Sequence, residues 1–229
     1  MKMNRLGRTD IEVSELCLGS MTWGTQNTMQ DGHDQIDRAL EGGINFIDTA
    51  EMYPVNPMRK ETVGNSEKCI ADGISKSGRR KDVVIATKAG GDSPLIRGGA
   101  GFTPESLLAV LYGNLARLGT DYIDLYQLNW PARGSYMFRQ DWTFDPSGQD
   151  SAQTMDHIGG VLEKLKQAQA EGEIRAFALS NESAWGTTKC IDVVQDFGAP
   201  RVAPVRSPRR RPARPWRPCA RRSGPPAPA

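Results

Sequence analysis

Histidine and paired cysteine are scarce in this 229-residue chain. It holds two histidines, His33 and His157, and four cysteines, Cys17, Cys69, Cys190 and Cys219. None of the cysteines stands in a CxxC or zinc-ligand spacing and neither histidine neighbours a cysteine. That argues against a metal site and for a reducing compartment. No apolar run approaches the ~20 residues of a membrane span. Residues 1–8 contain no apolar core of signal-peptide length, so a cytoplasmic location is the expectation. No repeat with a period of ~20–50 residues is present, which excludes a solenoid of near-identical units.

The charge is unevenly spread. A formal net charge of +2 combines −7 over residues 1–200 with +9 over residues 201–229. The last segment has nine Arg, eight Pro and five Ala, with no Asp, Glu, Lys, Leu, Ile, Phe, Met or Tyr. Such a composition cannot build a core, and proline breaks both helix and strand. Two regions are therefore expected: a domain over 1–200 and a disordered, basic Arg/Pro/Ala-rich tail over 201–229. The body's negative charge gives no reason to expect membrane or nucleic-acid contacts there.

Within the body, five short runs rich in Ile, Val, Leu and Phe read as buried strands, at 16–21, 44–48, 83–88, 122–129 and 175–181. They are nearly continuous rather than alternating, as in parallel strands covered on both faces. Amphipathic stretches separate them. One at 34–41 stops at Gly42-Gly43, and Thr103-Pro104-Glu105 supplies start signals for the next. There Leu107, Leu108, Leu111, Leu115 and Leu118 recur on one face before Gly119. A third carries Ile158, Val161, Leu162 and Leu165. About five β-α units imply an α/β fold with a parallel sheet, open or closed.

An open dinucleotide-binding sheet should show GxGxxG at its first strand-to-helix turn, where this chain has Leu18-Gly19-Ser20-Met21-Thr22-Trp23-Gly24 instead. Every strand carries a polar residue at its C-terminal end: Thr22, Asp48, Lys88, Asn129 and Ser180-Asn181. Any one of these could simply begin a loop. An Asp and a Lys together at buried strand ends are harder to explain that way, because unpaired charge is costly there. In a closed (β/α)8 barrel these ends converge on the catalytic face. Tyr53 follows Asp48 by five residues. A phenol is a poor acid at neutral pH, and a neighbouring ammonium makes it a better one. A carboxylate keeps that ammonium charged, which leaves Tyr53 poised as a general acid.

Five motifs, in order, carry a resemblance. They are Leu18-Gly19-Ser20-Met21-Thr22-Trp23-Gly24; residues 43–53, ending Asp48-Thr49-Ala50-Glu51-Met52-Tyr53; Ile85-Ala86-Thr87-Lys88; residues 118–126, which open Leu118-Gly119-Thr120-Asp121; and Gly172-Glu173-Ile174-Arg175 leading to Leu179-Ser180-Asn181. From about residue 6 to residue 200 the chain resembles the aldo-keto reductases, and the segment after the fourth strand looks most like a bacterial branch of them. The resemblance implies a (β/α)8 TIM barrel that passes hydride from NADPH to a small aldehyde or ketone. It implies Tyr53 as proton donor, Lys88 as the partner that lowers its pKa, and Asp48 as the ion-pair partner of Lys88. Ser180 and Asn181 would hold the nicotinamide carboxamide, Thr22, Trp23 and Asp48 would be cofactor-binding too, and Trp23, Tyr53 and Trp130 would face substrate. At the fourth catalytic position, where the family usually has His, this chain has Asn129. Asparagine can donate a hydrogen bond but cannot titrate. In this it is similar to the potassium-channel beta subunits, which keep fold and cofactor with feeble catalysis. That leaves a weak cofactor-binding protein as the alternative reading. The loop 133–150, with Tyr136, Phe138, Trp142 and Phe144, would wall the substrate pocket or pack onto the rim.

The resemblance ends near Pro200. A sixth strand, two further units and the residues that grip the cofactor's phosphates should follow. The expectation is therefore an incomplete barrel of about five of eight units, its first and fifth strands unpaired and its interior open to water. The missing part should impair both activity and NADPH affinity. The tail has the composition that GC-rich DNA gives in a shifted reading frame. The rival account is a basic arm that binds nucleic acid or an acidic surface.

Overall fold

The structure is a computed structural model that describes residues 1–138, 140, 142–196 and 203–206, the last four as backbone. The chain begins with an antiparallel hairpin, β1 (Met3–Arg5) and β2 (Glu12–Ser14). Five strand–helix units follow: β3 (Cys17–Gly19) with α1 (Met29–Glu41), β4 (Phe46–Asp48) with α2 (Asn65–Ser77), β5 (Val84–Ala89) with α3 (Leu107–Leu118), β6 (Ile123–Leu128) with α4 (Ser151–Ala170), and β7 (Ile174–Ser180) with α5 (Ala184–Asp196). A further strand, β8 (Ala203–Arg206), is the last element among the described residues. Strands β3 to β8 pair in chain order, all parallel, in one six-stranded sheet. This is the α/β partial barrel expected of a repeated β-α pattern.

The helix ends explain where the units turn. Thr28 caps α1 with a full capping box, its side chain accepting from Asp31 N while Asp31 accepts from Thr28 N. This cap starts the helix ahead of the 34–41 stretch legible from periodicity. At α3 the first turn differs from expectation. Residues 103–106 form a turn closed by Ser106 N donating to Thr103 Oγ1, and the helix begins at Leu107 with Ser106 as N-cap. Gly119 ends it at φ 60°, a left-handed conformation that glycine adopts without strain.

Strands β4 to β7 each feed two clusters, as alternation of side chains across a strand allows. Ile85, Tyr126, Phe177 and Leu179 face the helices and join Leu107, Leu111, Leu162 and Leu165 in the larger core. The alternate residues Val84, Ala86, Leu125, Ala176 and Ala178 face the interior, where Leu6, Ile11 and Val13 of the hairpin region pack on them. Asn45, just before β4, clamps the hairpin in place. Its Oδ1 accepts from Ser14 N at 2.8 Å and its Nδ2 donates to Glu12 O at 3.1 Å.

Two expectations are corrected. The interior is not left wholly to water, because the hairpin plugs it at the N-terminal ends of the strands. The chain also continues past residue 200 into a strand: Ala203 pairs with Ala178, and Arg206 with Ser180. That pairing moves the sheet edge from β7 to β8 among the described residues. The sequence hid it because these four residues lie in an Arg- and Pro-rich segment whose composition argues against a strand. The remainder of the expected disordered tail lies outside the described residues. Among the described residues no helix is long and apolar enough to cross a membrane, and no group of three or more His, Cys, Asp or Glu is placed to hold a metal.

Candidate active site

The strand register brings the site together. Asp48 pairs with Ala86, which sets Lys88 one step further along the same face of the neighbouring strand. Lys88 Nζ donates to Asp48 Oδ2 at 2.8 Å and to the Thr49 carbonyl at 2.6 Å. Lys88 is 1% exposed and Asp48 6%. The other carboxylate oxygen, Oδ1, accepts from Gln127 Nε2 at 3.3 Å. A buried charge pair survives only with its remaining hydrogen bonds satisfied, and these contacts satisfy them.

Half-buried Tyr53 completes the group, with Lys88 Nζ 4.8 Å from its ring centroid. An ammonium at that range attracts the ring face. Tyr126 makes the contrast. Its hydroxyl donates to Asn114 Oδ1 at 3.0 Å on the helix side, and burial pushes its phenol well above the usual range. One tyrosine serves the core; the other faces a cavity.

That cavity holds about 550 Å³ and is lined by Tyr53, Asn129, Trp130 and Asn181, with Met21, Met52, Met58, Met137 and Phe138 forming much of its apolar wall. Trp130 meets Phe138 edge-on with ring centroids 5.2 Å apart. The indole lies so close to Gly91 that a Cβ there would overlap it. At the end of β7, Ser180 is buried, and Asn181 takes φ 51°. Asn181 Nδ2 donates to the Asn129 carbonyl at 2.9 Å and to Ser180 Oγ at 3.1 Å. A second cavity of about 370 Å³ lies beyond the two-pronged Arg133–Glu182 pair, with Tyr136, Phe144 and Trp185 in its wall. Loop 133–150 is thus divided. Phe138 serves the first cavity, Tyr136 and Phe144 the second, and Trp142 is 97% exposed.

The structure brings Asp48, Tyr53, Lys88, Asn129, Trp130, Ser180 and Asn181 to one end of the sheet. Thr22 and Trp23 do not line the first cavity. Thr22 Oγ1 donates to Asn27 Oδ1 within its own turn. Trp23 is fully buried in the helix-side core, its Nε1 donating to Gln35 Oε1 at 3.0 Å. The expectation that Trp23 lies against cofactor and substrate is corrected: an indole with a polar partner inside the core is well satisfied there, and Met21 takes the cavity-lining place. Sequence reasoning missed Gln127. Its signal was parity, since Leu125, Gln127 and Asn129 share one strand face.

Residues 15–203 match the sequence model of the Aldo/keto reductase family. The chain belongs to that family. Among its relatives, "Protein tas" of Escherichia coli strain K12 is 37% identical over 217 residues, which cover 91% of this chain and 60% of that protein. The NADH-specific methylglyoxal reductase of Escherichia coli strain K12 is 32% identical over 203 residues, covering 80% of this chain and 53% of that one. Norsolorinic acid reductase stcV of Emericella nidulans is 29% identical over 204 residues, covering 83% and 45% respectively. This aldo/keto reductase chain spans less than two thirds of each.

Proposed function

We propose that this chain carries the proton-donating centre of a carbonyl reductase that converts aldehydes or ketones to alcohols with NADPH. The observation that carries the reading is the buried Asp48–Lys88 pair beside the ring of Tyr53, which opens onto an apolar cavity. A nicotinamide carboxamide needs a donor and an acceptor together, and Ser180 and Asn181 offer a hydroxyl and a carboxamide at the end of β7. Among the described residues the fit is to this end of the cofactor. When bound, the cofactor supplies a hydride to the carbonyl carbon. Tyr53 then gives its proton to the carbonyl oxygen as charge develops there, and Lys88 stabilises the phenolate that remains. Asp48 keeps Lys88 charged, while Met52, Trp130 and Phe138 keep the carbonyl from bulk water.

Reduction of a simple aldehyde, followed by loss of the reduced cofactor's near-ultraviolet absorbance with NADPH and NADH in parallel, tests this. Tyr53→Phe is expected to lower turnover by roughly 10²–10⁴-fold while cofactor binding persists. Unchanged turnover in Tyr53→Phe would remove the reading. Asn129 favours a second one, a cofactor-binding protein with feeble chemistry, because its carboxamide can orient a carbonyl but cannot relay a proton. Asn129→His separates the two: a gain in turnover makes Asn129 the limiting group, and no gain clears it.

A further inference from the structure

The loops that leave β4 and β5 run side by side above the sheet. Thr49 N donates to Ala86 O at 2.8 Å and Glu51 N to Lys88 O at 3.2 Å, so backbone bonds continue the strand register up to that point. Beyond it side chains take over. Glu51 is 6% exposed and accepts from Gly90 N through Oε1. Arg97 Nη1 lies 2.7 Å from both carboxylate oxygens of Glu51, and Arg97 Nη2 donates to the Gly90 carbonyl. Ile96, the residue before, packs with Met52 and Trp130, and Tyr53 rests against that cluster. The pair Ile96-Arg97 therefore grips Glu51-Met52 immediately ahead of Tyr53.

The backbone of Arg97 is unusual too. It takes φ 47°, followed by Gly98 at 65° and Gly99 at 105°. Glycine is the natural occupant of all three positions, yet the first holds a long cation. Non-glycine residues persist in that region where their surroundings over-determine them, and they cluster at functional sites.

We propose that Arg97 is a positioning residue for Tyr53: it locks the loop carrying the phenol to the loop that follows Lys88, and so holds the ring against the ammonium. The inference rests on the reading of Tyr53 as proton donor given above. Arg97 acts through Glu51 and Gly90 rather than on the substrate. Only a guanidinium offers donors placed for carboxylate and carbonyl at once, and lysine keeps the charge without the fork.

Isotope-labelled tyrosine NMR of the full chain tests it. The Tyr53 Cζ resonance is assigned by its loss in Tyr53→Phe, and that of Tyr122, which lies against Arg80 at the opposite end of β6, serves as an internal control. In Arg97→Met the Tyr53 resonance is expected to move toward that of free tyrosine while Tyr122 stays in place. The kcat should fall by about 10-fold or more with KM within about twofold, as expected when reacting groups are misplaced by about an ångström. Arg97→Lys should recover part of both. If Arg97→Met does not fold, the same comparison is made on Arg97→Lys. A Tyr53 resonance unmoved in the folded variant overturns the proposal, and so does an equal shift of Tyr122, which would mark a general loosening of the fold. A moved Tyr53 resonance together with full turnover in Tyr53→Phe supports the positioning and removes the proton-donor reading instead.

Discussion

Lys88 Nζ donates to Asp48 Oδ2 at 2.8 Å across two parallel strand ends, with both side chains withdrawn from water. Taking away one partner leaves the other charge buried and uncompensated. Lys88→Met should therefore destabilise the chain by about 3–5 kcal/mol, and adding Asp48→Asn should return part of that loss. Urea unfolding of the two single variants and the double variant checks it. A loss below about 1 kcal/mol for Lys88→Met would mean the pair contributes no more than a surface one.

The hairpin plug has a measurable weight. Ile11 is 1% exposed and packs on the interior face with Val84, Leu125 and Ala176 nearby in the same cluster. Ile11→Ala removes apolar contacts that the cluster cannot easily re-form, and should cost about 2–5 kcal/mol. Arg8→Ala, on an exposed position of the connecting turn, is the control and should be near neutral.

Thiol reactivity should sort by burial. Burial pushes Cys190 to about 12 and Cys69 to about 11, while Cys17 is exposed. Only the thiolate is alkylated. At about pH 8, iodoacetamide should label Cys17 and spare Cys69 and Cys190 in the native chain, with all three labelled in urea. Peptide mass spectrometry reads each site. Native labelling of Cys190 at the rate of Cys17 would contradict the packing of α5 on α4.

Acid should weaken the fold partly through one histidine. Burial, and then the Arg133 guanidinium, hold His157 below its ordinary value of 6.5, and its Nε2 is buried without a hydrogen bond. In the folded chain His157 is thus neutral over a range where the unfolded chain binds a proton. Its contribution is fully present above about 6.5 and is lost as pH falls through the lower folded value. Thermal unfolding across that range should show a shallower decline for His157→Gln than for the parent. Parallel curves would assign the acid sensitivity to other groups.

The parts legible in the sequence were those with a local signal. Short β-branched runs gave the strands, and a polar residue ending each run placed Asp48, Lys88, Asn129 and Ser180 on one face. Tyr53 followed from chemistry that needs an ammonium beside a phenol. The parts missed depend on distant residues. The strands of the hairpin are three residues each, too short for a period, and their apolar residues acquire meaning only against Ala176 and Ala178. The Glu51–Arg97 clamp joins residues far apart in the chain that no spacing links. Trp23 was misplaced because a turn beside the cavity can send its side chain either way, and the pocket between α1 and α2 took it. Ala203–Arg206 becomes a strand because β7 presents an edge, and composition alone cannot report an edge.

The hairpin also sets an order of events during synthesis. Leu6, Ile11 and Val13 are made early, yet their seat includes Ala176 and Ala178, made more than 160 residues later. At ~5–20 residues per second, roughly 8–30 s pass before that seat exists. For that interval Leu6, Ile11 and Val13 can meet only Val84, Ala86 and Leu125, so the hairpin reaches its full seat only once β7 has been made.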